Sequence, residues 1–201
     1  RGRGHLPEHD RRTAPPQGAA YGESWKRRGE QISIMANIAR KVDRLAMLAT
    51  TGEATTTDEN AIDTAVDLLV YALKYQTYLA DLDPDVLPDV LPHTDAGTGW
   101  SNRPDGLERV LNATDLSSLD TRSDEPLAQL ISAAENTFSA LEGCFSTNGA
   151  TASAQERTAL AATLATEAVW IVAQLRTSIP ALYDEFIATW QSSPSAAAST
   201  R

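Results

Sequence analysis

Residues 59–80 read ENAIDTAVDLLVYALKYQTYLA, and this stretch decides the fold class. Ile62, Val66, Leu69, Leu73 and Tyr78 recur close to the 3.6-residue period of an α-helix, and no proline or glycine interrupts them. The spacing predicts a helix of about six turns with those five residues toward a core. Just upstream, Thr55–Thr57 and Asp58 supply side-chain oxygens of the kind that cap the first free amides of a helix.

The same period recurs on both sides. From about Glu30 to Ala49, Ile34, Ile38, Val42, Leu45 and Leu48 form one apolar stripe, and Thr51-Gly52 offers a left-handed stop. Pro84, Pro88, Pro92 and Pro104 forbid a continuous helix between Asp81 and Arg103, so a long proline-rich loop is expected there. A short helix follows near Leu107–Leu111. Ser123-Asp124-Glu125-Pro126 opens another, with Leu127, Leu130, Ile131, Ala134, Phe138 and Leu141 on its face. Asn148-Gly149 marks a turn. A last helix runs from about Ser153 to Trp190 on a stripe of Leu160, Leu164, Ala168, Ile171 and Leu175, and Pro180 is expected to kink or split it. With no strand-like alternation of useful length, the expected fold is all-α. It is a helical bundle over residues 21–190, with a flexible, disordered N-terminal arm over 1–20 and a flexible tail over 191–201. Within the bundle, residues 21–82 form a helical hairpin, 83–104 the proline-rich loop and 105–190 the additional helices. A hairpin alone buries too little apolar surface, so it must pack on the second half or on a second copy, and a homodimer is expected.

Composition narrows the function. The 201 residues carry a formal net charge of −10, which argues against general nucleic-acid binding, since phosphate backbones are held by clustered Lys and Arg. No apolar run comes near the roughly 20 residues that span a bilayer, so no membrane association is expected. The opening residues lack the apolar core of a secretory signal, which makes the cytoplasm the expected location. One cysteine, Cys144, rules out an internal disulfide and most cysteine-based metal sites. His5, His9 and His93 have no partners at metal-ligand spacing.

Charges along the two long helices are the main chemical signal. Asn37, Lys41 and Arg44 form a polar stripe on the first, and Asp63 and Asp67 stand one turn apart on the second, with Lys74 two turns beyond. If the helices fold back as a hairpin, these stripes meet. Two carboxylates at that spacing suit a hard cation such as Mg²⁺, and Lys41 with Arg44 suits phosphate oxygens. The competing reading is a set of ordinary inter-helix ion pairs. Upstream, Tyr21-Gly22-Glu23-Ser24-Trp25 puts two aromatic rings and an acid just before the first helix. They serve either to stack on a base and supply a further metal ligand, or to anchor the arm.

Three blocks in this order, Tyr21–Trp25, Ile38–Leu45 and Asp63–Ala72, resemble the phage and bacterial nucleotide-modification-associated helical domain, whose pattern runs roughly YG(D/E)SW, K-x-x-R-L and D-T-x-x-D-L-x-x-Y-A. More distantly, residues 21–82 resemble the MazG-type all-α nucleoside triphosphate pyrophosphohydrolases, whose helices present acids to Mg²⁺. The resemblance implies a nucleotide-related role, with Glu23, Lys41, Arg44, Asp63 and Asp67 at matching positions. It implies Mg²⁺ as cofactor, held by Glu23, Asp63 and Asp67. Asp63, Asp67 and Lys41 would then carry catalysis, and Arg44, Tyr21, Trp25 and Asn37 would bind the substrate. Where the pyrophosphohydrolases carry an E-x-x-E pair, the first helix here offers Glu30 and Asp43. Two functions therefore compete: Mg²⁺-dependent release of pyrophosphate from a nucleoside triphosphate, and a non-enzymatic helical module that senses a nucleotide or binds a protein partner.

Overall fold

The structure, a computed structural model, describes residues 25–51, 55–56, 59–92, 94, 97–120 and 125–192. The arm expected over 1–20, the tail after Ser192, and Tyr21, Glu23, Asp58 and His93 lie outside them. The architecture is the expected helical bundle. A π-helical turn, Glu30–Met35, leads into α1 (Ala36–Thr51), and Gly29 opens it at φ 85°, a conformation that costs glycine nothing. The two-residue strands β1 (Thr55–Thr56) and β2 (Glu59–Asn60) pair ahead of α2 (Ala61–Leu82). Beyond lie α3 (Leu87–Val90), α4 (Pro104–Ala113) and α5 (Leu127–Glu142). Strands β3 (Phe145–Ser146) and β4 (Gly149–Ala150) form a small hairpin around the Asn148-Gly149 turn, and α6 (Ala154–Ser178) and α7 (Pro180–Ser192) follow.

Local signals explain most of these boundaries. The α2 cap is Asn60, not the threonines or Asp58. Its side chain accepts from the amides of Ile62 and Asp63 at 2.8 and 2.9 Å, and the Asp63 carboxylate accepts from the Asn60 amide at 3.2 Å. Thr55 and Thr56 instead belong to β1. This reciprocal box satisfies amides at both positions, which a lone threonine cannot do. Ser153 caps α6 through the Glu156 amide, and Pro180 divides the expected final helix into α6 and α7. The proline-rich region carries more structure than expected: 3₁₀ turns at Pro84–Val86 and Trp100–Asn102 flank α3.

Helix α2 is the central rod, packed along α6 and also touching α1, α4 and α7. That position changes its expected face. Ile62, Leu69 and Leu73 are buried as predicted, while Val66 and Tyr78 are half-buried, and Ala65, Leu68, Ala72, Tyr75 and Leu79 join the core. A helix enclosed on several sides buries most of its circumference, so a one-stripe reading falls short. Helix α6 requires a second correction. By length and composition alone it is long and apolar enough to cross a membrane, with a mean hydropathy of 1.4 over an 18-residue window. Just over half of that window, 56%, is buried inside the protein, where α6 packs on α2 and α5.

One half-buried acid sits awkwardly in that packing. Glu167 on α6 accepts a hydrogen bond from Thr137 Oγ1 at 2.8 Å, but its other oxygen, Oε2, is buried without a partner. Burial pushes the Glu167 carboxyl up, against the smaller pull of the Thr137 hydroxyl. The folded state thus favours the neutral acid, and ionisation costs stability once the pH has risen through the folded-state pKa. Glu167→Gln is expected to add about 1 kcal/mol to the unfolding free energy at pH 7. The gain should vanish below the ordinary glutamate pKa of about 4.3, where both chains carry a neutral group. Urea titrations at the two pH values check this, and destabilisation at pH 7 would contradict it.

Candidate functional site

Asp63, Asp67, Tyr71, Lys74, Tyr78 and Asp81 follow one another by three or four residues, so they share one side of α2. The polar stripe of α1 meets this side. Lys41 Nζ lies 2.7 Å from Asp67 Oδ2, with the lysine side chain 11% exposed and the carboxylate 48%. Further along, Glu30 meets Tyr75, so as numbers rise on the first rod they fall on the second: the two run antiparallel, as the hairpin reading required. A pair with one partner half in water contributes at most about 1 kcal/mol, so its presence says little about stability.

The two acids have separate local duties. Asp63 closes the α2 capping box and Asp67 faces Lys41, and each keeps one carboxylate oxygen with no partner among the described residues. No group of three or more His, Cys, Asp or Glu side chains able to hold a metal occurs among the described residues. Two carboxylate residues one turn apart would hold Mg²⁺ only in the form that keeps several waters and shares its remaining positions with a ligand's phosphates. They do not make an all-protein cage.

Lys74 extends the stripe. Its Nζ lies 5.8 Å from the Trp25 ring centroid and 5.7 Å from that of Tyr71, within reach of the negative ring faces. Burial lowers the Lys74 pKa, and Asp67 counters part of that shift. Trp25 is only 8% exposed, so its ring offers a floor under Lys74 and no open face for a base. Tyr71 is half-buried. Arg44 is exposed further along α1. Asn37 is engaged within its own helix: its amide donates to the Ser33 carbonyl at 2.8 Å, and its oxygen accepts from Arg40. Tyr21 and Glu23, outside the described residues, are placed neither in nor out of the stripe.

Two clusters escaped the sequence reading. At the far end of α2, Asp81 accepts from the amides of Trp100 and Ser101, each at 2.8 Å, and from Ser101 Oγ at 2.5 Å. Lys26 Nζ donates to the same Ser101 hydroxyl at 2.5 Å, beside a cleft of about 270 Å³. Asp81 thus pins the Trp100–Asn102 turn onto α2. Partners 19 and 20 residues away leave no local signal. The second cluster is buried: the Glu30 carboxylate accepts from both Tyr75 and Arg157, joining the π-turn to α2 and α6. Here a signal existed, since Arg157 interrupts the small and apolar run Ala154, Ala161, Ala165 and Ala168 on the buried side of α6. Cys144 is buried with its sulfur 3.5 Å from the Ala140 carbonyl, and burial pushes its thiol up, away from nucleophilic chemistry. No protein-family model, curated protein or solved structure matches the chain.

Proposed function

We propose that this chain binds a phosphate-bearing small molecule on the stripe where α1 meets α2. The observation that carries this reading is the placement of two ammonium groups from different helices along one stripe, Lys41 at Asp67 and Lys74 over the Trp25 and Tyr71 rings on the same side of α2. Lys74 is partly desolvated, so it has few water contacts to lose when a phosphate approaches. Lys41 is held at Asp67, and a ligand must draw it away from that partner. Asp63 and Asp67 are the residues that would hold Mg²⁺, which when bound supplies positive charge that offsets the phosphates. The ring of half-buried Tyr71 supplies a flat surface for the rest of the ligand.

The resemblance to nucleotide-modification-associated domains makes a nucleoside triphosphate the ligand to try first. Calorimetric titration of deoxynucleoside triphosphates with Mg²⁺ should give saturable heat, and Lys74→Ala should weaken binding about tenfold. Chromatography of the same mixtures separates the two forms of the proposal. Monophosphate and pyrophosphate would support the Mg²⁺-dependent pyrophosphohydrolase, and intact triphosphate a binding module. No saturable heat with any triphosphate, from a chain whose melting curve is cooperative, would end the proposal.

A further inference from the structure

A second opening lies away from the lysine stripe, where the start of the π-turn faces the β3–β4 hairpin. Gln31 Nε2 donates to the Ser146 carbonyl at 3.0 Å and holds the hairpin beside the turn. The cleft between them has a volume of about 220 Å³ and is lined by residues including Arg28, Glu30, Phe145, Gly149 and Ala150.

Each wall has a definite chemistry. Oε1 of Glu30 is taken by Tyr75 and Arg157, while Oε2 has no partner among the described residues, and the side chain as a whole is 13% exposed. The carboxylate is therefore a fixed acceptor, oriented by two donors on one oxygen and available on the other. Phe145 is half-buried with the Arg157 guanidinium 5.7 Å from its ring centroid, an arrangement that holds the ring in place. Gly29 and Gly149, both at positive φ, have no heavy atom within 4 Å of where a Cβ would stand, so the backbone walls are bare. A slot with an aromatic wall, bare backbone and a carboxylate residue in its lining suits a flat ring whose edge carries N–H donors. The volume lies below the roughly 300–1,000 Å³ of pockets for drug-sized ligands, which limits the occupant to a single ring system.

We infer that this cleft is a second ligand site, taking a planar amino-substituted nitrogen heterocycle whose N–H edge donates to Glu30 and whose face lies on Phe145. The inference does not depend on the lysine stripe. The test is a fluorescence titration of the full chain with 2-aminopurine, whose emission falls on stacking. Saturable quenching is expected, with affinity reduced about tenfold in Phe145→Leu. Ala150→Leu, at an exposed position on the cleft wall, should also reduce it by filling the slot, and Lys74→Ala should leave it unchanged. Melting curves establish that each variant is folded. Absence of saturable quenching by the parent chain overturns the site. Unaltered binding in folded Ala150→Leu overturns its location, and equal binding of purine, which lacks the exocyclic amine, overturns the role of Glu30.

Discussion

Replacing Arg157 by methionine is expected to destabilise the fold by about 3–5 kcal/mol, more than any other single change considered. The Arg157 side chain is 5% exposed and that of Glu30 13%, so the pair sits largely out of water. Methionine fills much of the volume, but it leaves Glu30 with the Tyr75 hydroxyl as its remaining donor. A largely buried carboxylate stripped of its counter-charge bears much of its desolvation penalty uncompensated, and the residual exposure of Glu30 puts the expected loss toward the lower end of that range. The Tyr75 hydroxyl is also pushed up in pKa by burial and by its bond to Glu30, so it stays a neutral donor and supplies no charge. For a domain of this size the loss corresponds to a fall in Tm on the order of 10 °C. The double variant Glu30→Gln, Arg157→Met should lose far less than the sum of the two single changes, because removing both charges removes the penalty. Thermal and urea unfolding of the four chains measures this. A loss under 1 kcal/mol for Arg157→Met would show that water reaches the pair.

Gly106→Ala is the second large effect, and its sign runs against helix propensity. In an open helix the change would add up to about 1 kcal/mol of stability. Here a Cβ at Gly106 would collide with the carbonyl oxygen of Trp100 and stand 2.9 Å from its carbonyl carbon. The obstruction is backbone, not the far end of a flexible side chain, and that backbone is itself held. Asp81 grips the amides of Trp100 and Ser101, and the Trp100 ring is buried at 5% exposure. To admit a methyl group, α4 must separate from the turn. A net loss of about 2–3 kcal/mol is expected, at the upper end for overpacking. If Gly106→Ala is neutral or stabilising in urea titrations, the close approach of α4 to the Trp100 turn is wrong. Asp81→Ala offers a related check, since it releases the same turn without adding volume.

These two predictions share a cause. Both residues sit where separate elements are forced into contact, and in both the residue type taken by itself gives the opposite expectation. An arginine on a long helix reads as surface charge, and a glycine three residues into a helix reads as a weak spot to be improved. Contacts between distant segments reverse both readings.

The lysine stripe shows a finer division. That Asp63, Asp67 and Lys74 share one side of a helix follows from their spacing, and so does the meeting of Lys41 with Asp67 once the two amphipathic rods run antiparallel. What spacing cannot supply is which polar atoms remain available. Asp63 is drawn into the α2 cap by Asn60, Asn37 into its own helix by Ser33, and Trp25 into the interior, so residues that looked alike in sequence have different freedom to meet a ligand.

The periodicity of apolar residues, the prolines and the capping side chains determined the helices and the all-α bundle, because these are local effects acting within one or two turns. Tertiary structure alone decided that α2 would be enclosed on several sides, that Glu30, Tyr75 and Arg157 would share one buried site, and that Asp81 would hold the Trp100 turn. The physical reason is that burial and the pairing of buried charge depend on neighbours tens of residues away, where no pattern in the chain records the distance.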